Sequence, residues 1–268
     1  MKPEAVLEAP PGWARVAFVS DLHLGPEAPR TGARFLAWLR DDAAAVDALF
    51  ILGDLFESWI GDEQCAMEPR SIAPQICEAL AALRSRGCMV AVQRGNRDFL
   101  LGPEFARACD IVLLPDPCLL VLGGQRITLT HGDALCVSDQ AYMQWRAICR
   151  APAWQARFLS LPFDERQRQA SAARAQSRAA QAGMDALVDA DAPEAVRWLG
   201  EADSAWMIHG HTHRPMDHWH GGQLRQVLSD WDLDHAATPR AQVLWLELGP
   251  RWMTVRRQTL ADGSMHAR

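Results

Sequence analysis

No CxxC pair occurs anywhere in this sequence. Its seven cysteines (Cys65, Cys77, Cys88, Cys109, Cys118, Cys136 and Cys149) are odd in number and widely spaced. That spacing excludes the usual thiolate zinc site, argues against a disulfide framework and favours a reducing compartment. No apolar run reaches the ~18 residues of a membrane-spanning helix. The opening stretch MKPEAVLEAPPGWARV lacks the uncharged apolar segment of a secretory signal. An excess of positive charge is also missing: the formal charge is −6, so bulk electrostatics exclude a nucleic-acid partner. There is no internal repeat and no low-complexity tract. These absences lead to the expectation of a cytoplasmic protein, soluble or peripheral.

What is present suits a globular chain. Of 268 residues, 49% are hydrophobic and 22% charged, enough for a sizeable core in one large or two small domains. Short apolar runs recur, and each stops at a polar cluster: RVAFVS before Asp21, ALFIL before Gly53, MVAVQ before Gly95, RITLT before His131 and AWMI before His209. Helical patterns such as ARFLAWLRDDAA and APQICEALAALRSRG lie between them, the second ending at Gly87 as a C-cap. The alternation predicts an α/β fold with function gathered at the carboxyl ends of strands. LRQVLS, QVLWLEL and WMTVRRQTL read as strands near the C-terminus, followed by a frayed tail. From Gln140 to about Gly200 no strand is evident, and the Ala-, Gln- and Arg-rich stretch reads as a helical insertion.

Five clusters hold candidate metal ligands: SDLHLG (Asp21, His23), LGDLFE (Asp54), RGNRD (Asn96), THGD (His131) and IHGHTHRP (His211, His213). In an extended strand end, Asp-x-His and His-x-His return both side chains to one face. Imidazole, carboxylate and amide donors without thiolate suit Mn²⁺, Fe or Zn²⁺ in five- or six-coordinate geometry. His209 alternates off that face and reads as structural.

The order D-x-H, GD, GN, H-G-D, G-H-x-H resembles the calcineurin-like metallophosphoesterases. The resemblance implies an α/β fold, a β-sandwich flanked by helices, as one domain over residues 1–268 with a helical cap at about 140–200. It implies one metal held by Asp21, His23, Asp54 and His213 and another by Asp54, Asn96, His131 and His211, with Asp54 bridging. Two divalent ions against two carboxylates leave the inner shell at about +2, a centre for an anionic ester that supplies hydroxide near neutral pH.

Many members carry histidine after the GN pair, beside the leaving group. Here Arg97 stands there. Arginine stays protonated below ~12 and offers a planar fork to phosphate oxygens rather than a proton. That suits a leaving group already stable as an anion, such as a phosphate monoester with a second pKa of about 6. A pyrophosphate substrate follows. A surface arginine paired with Asp98 is the alternative.

SDLHLG, LGDLFESWIGD, GNRDFLLG, HGDALC and IHGHTHRP, from about Val16 to Trp231, are similar to the UDP-2,3-diacylglucosamine pyrophosphatases of lipid A biosynthesis. This closer resemblance implies water attack on the α-phosphorus of UDP-2,3-diacylglucosamine, giving UMP and lipid X with two Mn²⁺ ions. It implies catalytic roles for Asp54, Asn96, Arg97 and His211. It implies substrate contacts from Asn96, Arg97, Asp139, Arg174, Ser177, Gln181 and His211, with Gln181 where the family has Asn and Met184 where it has Lys. The partners would be the lipid-linked nucleotide sugar and the cytoplasmic face of the inner membrane, bound peripherally, with no obligate protein partner.

Between Gln140 and Gln181, seven arginines (146, 150, 157, 166, 168, 174 and 178) face only Asp164 and Glu165, a local charge of +5. Trp145, Trp154, Phe158, Leu159, Leu161 and Phe163 accompany them. Composition alone fits either an interfacial or acyl-chain-binding face or a helical hairpin packed on the core. The resemblance favours the acyl chains. A broader nucleotide pyrophosphatase or phosphodiesterase and a non-catalytic scaffold are the other readings, the scaffold weakened by seven filled ligand positions.

Overall fold

Each of the five apolar runs ending in a polar cluster is a strand in the computed structural model. The structure describes residues 1–182, 189–249 and 253–260, with backbone alone at residue 44 and residues 177–182. Along the chain the strands are β1 (Ala5–Glu8), β2 (Arg15–Val19), β3 (Ala48–Leu52), β4 (Met89–Gln93), β5 (Val112–Leu114) and β6 (Cys118–Leu122). They continue as β7 (Gln125–Thr130), β8 (Trp206–His209), β9 (Asp217–His220), β10 (Gln223–Val227), β11 (Gln242–Leu248) and β12 (Met253–Thr259). β1, β5, β6 and β9 were not anticipated.

The strands form two sheets, ordered β12-β11-β2-β3-β4-β5 and β1-β6-β7-β8-β10-β9. In the first, β2 to β5 run parallel and β11 joins β2 antiparallel. In the second, β7, β8 and β10 run parallel. Strand alternation divides the core. Val16, Phe18, Ala48, Phe50 and Leu52 face Leu120, Ile127, Leu129 and Ile208 of the other sheet. Ala17, Val19, Leu49, Ile51, Val90 and Val92 point the opposite way, into a helix-covered cluster. With both faces of this sheet covered, its strands are continuous apolar runs rather than alternating ones.

Helices α1 (Pro29–Asp41), α2 (Gln64–Met67), α3 (Ala73–Ser85) and α4 (Pro103–Ala108) follow the early strands. α1 begins with proline in its first turn and buries Phe35, Trp38 and Leu39 in that outer cluster. Gly87, just past α3, has φ +94°, the left-handed turn that ends a helix. Cys77 on α3 and Cys109 beside α4 are joined as a disulfide, Cα atoms 4.5 Å apart. The expectation of no disulfide framework is thereby corrected by one bridge; the remaining five cysteines are free thiols.

The strandless stretch is helical: α5 (Gln140–Cys149), α6 (Pro152–Leu159), α7 (Phe163–Ala182) and α8 (Ala192–Glu201). α8 packs Ala195, Trp198 and Leu199 against Leu135 and Met207, covering the second sheet as the crossover between parallel β7 and β8. Among the described residues, no helix is long and apolar enough to cross a membrane. Residues 261–268, read as a tail, lie outside the described residues.

Candidate metal centre

Asp21 and His23 leave the end of β2, Asp54 the end of β3, Asn96 the end of β4, His131 the end of β7, and His211 and His213 the end of β8. Both sheets therefore contribute. The side chains converge for a different reason than strand alternation. Asp21, His23, Asp54, His211 and His213 have φ of 54°, 48°, 52°, 69° and 54°, all left-handed. Non-glycine residues avoid this region at a cost of roughly 1–2 kcal/mol each, and such strain gathers where a site demands it. The turns are pinned by main-chain bonds, Asp21 N to Gly53 O at 3.1 Å and His23 N to Asp54 O at 3.0 Å. His211 N donates to Asp21 Oδ2 at 2.9 Å. Gly95 is required by close approach: a Cβ there would lie 2.0 Å from Asp54 Oδ1.

All seven expected ligands meet. Around Asp21, His213 Nε2 is 3.4 Å and His23 Nε2 4.0 Å from Oδ1, and the two imidazole nitrogens are 3.3 Å apart. Asp54 Oδ2 is 3.8 Å from His23 Nε2 and 3.8 Å from His131 Nε2, so one carboxylate faces both halves. Asn96 Oδ1 lies 2.9 Å from His131 Nε2 and 2.8 Å from His211 Nδ1.

The donor set fits cations. Asp21 Oδ1 is buried and has no hydrogen-bond partner, an orphaned acceptor aimed into the cluster. His131 Nδ1 donates to Leu52 O at 2.9 Å, which leaves the Nε2 lone pair aimed at Asn96 Oδ1 unless a cation or proton intervenes. Burial alone would lower the His131 pKa, but Asp54 and Asp21 outweigh it and push it up to about 9. In the free protein a proton thus stands where a metal would compete for the ring. Burial likewise acts to raise Asp21, yet His213, His131 and His23 hold its carboxyl well below the usual range. His211 is pushed down to about 4 by burial and by His131. His209 is structural as expected: Nδ1 donates to Gly210 O at 2.8 Å and Nε2 accepts from Arg225 at 3.1 Å.

Arg97 donates its main-chain N–H to Asp54 Oδ1 at 2.8 Å. Its side chain is 19% exposed, and Nη1 lies 3.8 Å from Glu57 Oε1. Asp98 is not its partner. That buried carboxylate accepts from Gly95 N at 2.7 Å and Leu55 N at 2.8 Å, locking the Asp54 and Asn96 loops together. Three further acidic groups escaped the sequence reading because their partners are distant in the chain. Glu57 Oε2 lies 3.2 Å from His23 Nδ1, and Asp230 Oδ2 lies 3.6 Å from His213 Nδ1. Burial would raise Glu57, but His23, Arg97 and Arg174 keep its carboxyl below the usual range. The third, Asp133, accepts from the Tyr142 hydroxyl and from Arg146 Nε at 2.8 Å, with Arg150 Nη2 3.5 Å away. Arg150 also donates to Gly95 O at 2.9 Å, and the Tyr142 ring stacks on His211 with centroids 6.0 Å apart.

The cap takes the packed hairpin arrangement, one of the two its composition allows, and corrects the solvated arginine face. Trp154 stacks on Phe158 at 5.0 Å and meets Phe99 at 6.0 Å, and Leu161 and Phe163 pack on the same core. These side chains hold the hairpin to the body, whereas Trp145 and Leu159, each 41% exposed, face outward. The arginines are not one basic face either. Arg146 and Arg150 serve Asp133, and Arg166 is buried against Ile60 O and Glu63. An apolar cleft of about 880 Å³ lies between α7 of the cap and the body, lined by Leu36, Phe56, Ile60, Met67, Ile72 and Ala170, with Glu57 and Arg174 also in its wall. Of the other expected contacts, Asp139 caps α5, accepting from Tyr142 N at 2.9 Å. The side chains of Ser177 and Gln181, and Met184 altogether, lie outside the described residues.

Residues 14–215 match the family model described as calcineurin-like phosphoesterase. The chain is 44% identical over 228 residues to the UDP-2,3-diacylglucosamine hydrolase of Bordetella parapertussis, covering 82% of this chain and 87% of the relative. It is 44% identical over 244 residues to the protein of the same name from Ralstonia nicotianae, covering 87% and 90%. Among solved structures, Vps29 of Entamoeba histolytica in complex with zinc aligns over 93% of this chain and 94% of its own, at 16% identity and a TM-score of 0.49.

Proposed function

The chain belongs to the calcineurin-like phosphoesterase family, and from that premise we propose that it hydrolyses the pyrophosphate bond of UDP-2,3-diacylglucosamine. Water adds to the α-phosphorus, and the products are UMP and 2,3-diacylglucosamine 1-phosphate (lipid X), an intermediate of lipid A biosynthesis, with Mn²⁺ as the metal. The observation that carries this reading is the shared wall: Glu57 borders both the metal cluster and the apolar cleft. A lipid tail in the cleft would bring its phosphate to the cluster. The relatives' name supports the same substrate.

Asp21, His23, Asp54 and His213 would hold one ion, and Asp54, Asn96, His131 and His211 the other. Two such cations supply positive charge to phosphate oxygens and depress the pKa of a bound water. The chain's own residues do the rest. Arg97 remains charged throughout and grips the departing phosphate with its fork of donors. That phosphate is stable as an anion, so no residue need protonate it. Arg174 in the cleft wall adds a second cation for the pyrophosphate. His211 aims Nδ1 at the cluster beside Asn96 and leaves Nε2 for a substrate oxygen. The apolar lining excludes water around the acyl chains.

The same reading puts the protein at the cytoplasmic face of the inner membrane as a peripheral protein. Its support is the outer surface of α5 and α6, where Trp145, Ile148 and Leu159 are exposed.

The deciding experiment is product analysis in ¹⁸O-water with Mn²⁺, using UDP-2,3-diacylglucosamine beside UDP-N-acetylglucosamine. Label in UMP from the acylated substrate alone is the expected result. Equal turnover of both would leave a general nucleotide pyrophosphatase, and no turnover with metal bound would leave a scaffold.

A further inference from the structure

Glu57 touches both halves of the machinery through different oxygens. Oε2 lies 3.2 Å from His23 Nδ1, and Oε1 lies 3.8 Å from Arg97 Nη1. Nδ1 is the ring nitrogen His23 does not aim at the cluster, since Nε2 already faces Asp54 at 3.8 Å and His213 at 3.3 Å. Both His23 Nδ1 and Arg97 Nε are buried without an aligned hydrogen bond of their own. The Glu57 carboxylate lies against both of these side chains.

Its backbone is fixed to the loop it serves. Glu57 N donates to Leu24 O at 3.1 Å, and Leu24 pairs with Phe56 across the β2 and β3 loops. A carboxylate taking the outer N–H of a metal-binding histidine fixes its tautomer and rotation and raises the basicity of the inner nitrogen. Asp230 stands in the same relation to His213, but it is committed to Arg240 through bonds of 2.8 and 2.6 Å. Glu57 differs in that its second oxygen faces a residue of the reaction.

We propose that Glu57 is a positioning residue that sets His23 and Arg97 with one carboxylate, an oxygen for each. It fixes the distance between the metal cluster and the cationic fork. The Arg97 half rests on the pyrophosphatase reading above; the His23 half does not.

Glu57→Gln, which keeps volume, and Glu57→Ala test it. Calorimetric titration of metal-free protein with Mn²⁺, without substrate, is expected to show one of two sites weakened by about 10- to 100-fold. With UDP-2,3-diacylglucosamine, kcat falls while KM holds. Arg97→Ala then costs less in the Glu57→Gln background than in the native chain, because the two residues act as a unit. Native Mn²⁺ affinity in both variants, with Arg97→Ala fully additive, would overturn the proposal. So would a drop in the melting temperature of metal-free Glu57→Gln, which marks a merely structural role. If the native protein fails to turn over this substrate, the functional reading fails, and the Mn²⁺ titration still decides the His23 half.

Discussion

Arg97 has two separable jobs. Its main-chain N–H bonds the carboxylate that faces both halves of the cluster, while its guanidinium stands free of Asp98. Alanine keeps the first and removes the second. Arg97→Ala should therefore bind Mn²⁺ as the native chain does and lose on the order of 10²-fold in turnover; unchanged turnover would return the side chain to a surface role. The seven ligands were legible because their donors sit in short motifs at strand ends. Glu57, Asp133 and Asp230 were not, because each acquires its meaning from a partner in another segment: His23, Arg146 and His213. The left-handed backbone at Asp21 or His211 leaves only a weak sequence mark, since aspartate and histidine visit that region more than most residues do and surrounding bonds decide where.

Among the elements, α5 is inverted relative to an ordinary surface helix. Arg146, with Arg150 at the C-cap, turns inward to buried Asp133, while Gln144, Trp145 and Ile148 face out. Asp133→Asn would leave two arginines facing a neutral amide. It should destabilise the fold by roughly 3 kcal/mol in denaturant titration, as expected when one partner of a buried ion pair is lost. A smaller change than Arg146→Met produces would argue that the tyrosine and main chain carry the anchor. The outward face makes a separate demand. Trp145→Ser with Ile148→Ser should reduce co-sedimentation with anionic vesicles while leaving Mn²⁺ affinity intact; undiminished binding would remove α5 from the membrane surface. The i, i+4 spacing of Trp154 and Phe158 marks one apolar face of α6, and Leu161 lies past the end of that helix. Spacing could not say whether that face meets lipid or Phe99, because periodicity identifies an apolar stripe and not its neighbour.

For the whole molecule, strand–helix alternation indicated the α/β class, but the division of strands between two sheets is not a local property. β1, β5, β6 and β9 are three to five residues long and carry little pattern of their own. The ligand set spans that division: Asp21, His23, Asp54 and Asn96 leave one sheet, and His131, His211 and His213 leave the other. Bound cations would tie the two layers together. An ion that binds only the folded state, present at a hundred times its Kd, stabilises by about 2.7 kcal/mol. Adding EDTA to the Mn²⁺-loaded protein should lower the melting temperature measurably, and an unmoved transition would mean that the ions do not bridge the sheets.

That convergence from both ends of the chain also has a temporal side. Asp21 and His23 emerge early in synthesis, His211 and His213 late, and the long-range pairings between them are slow to form. A growing chain held on the ribosome exposes carboxylate and imidazole fragments of the site, but the complete cage exists only once residue 213 is free to dock. Completion of the seven-ligand site is therefore a late event of maturation, after the earlier strands have been made.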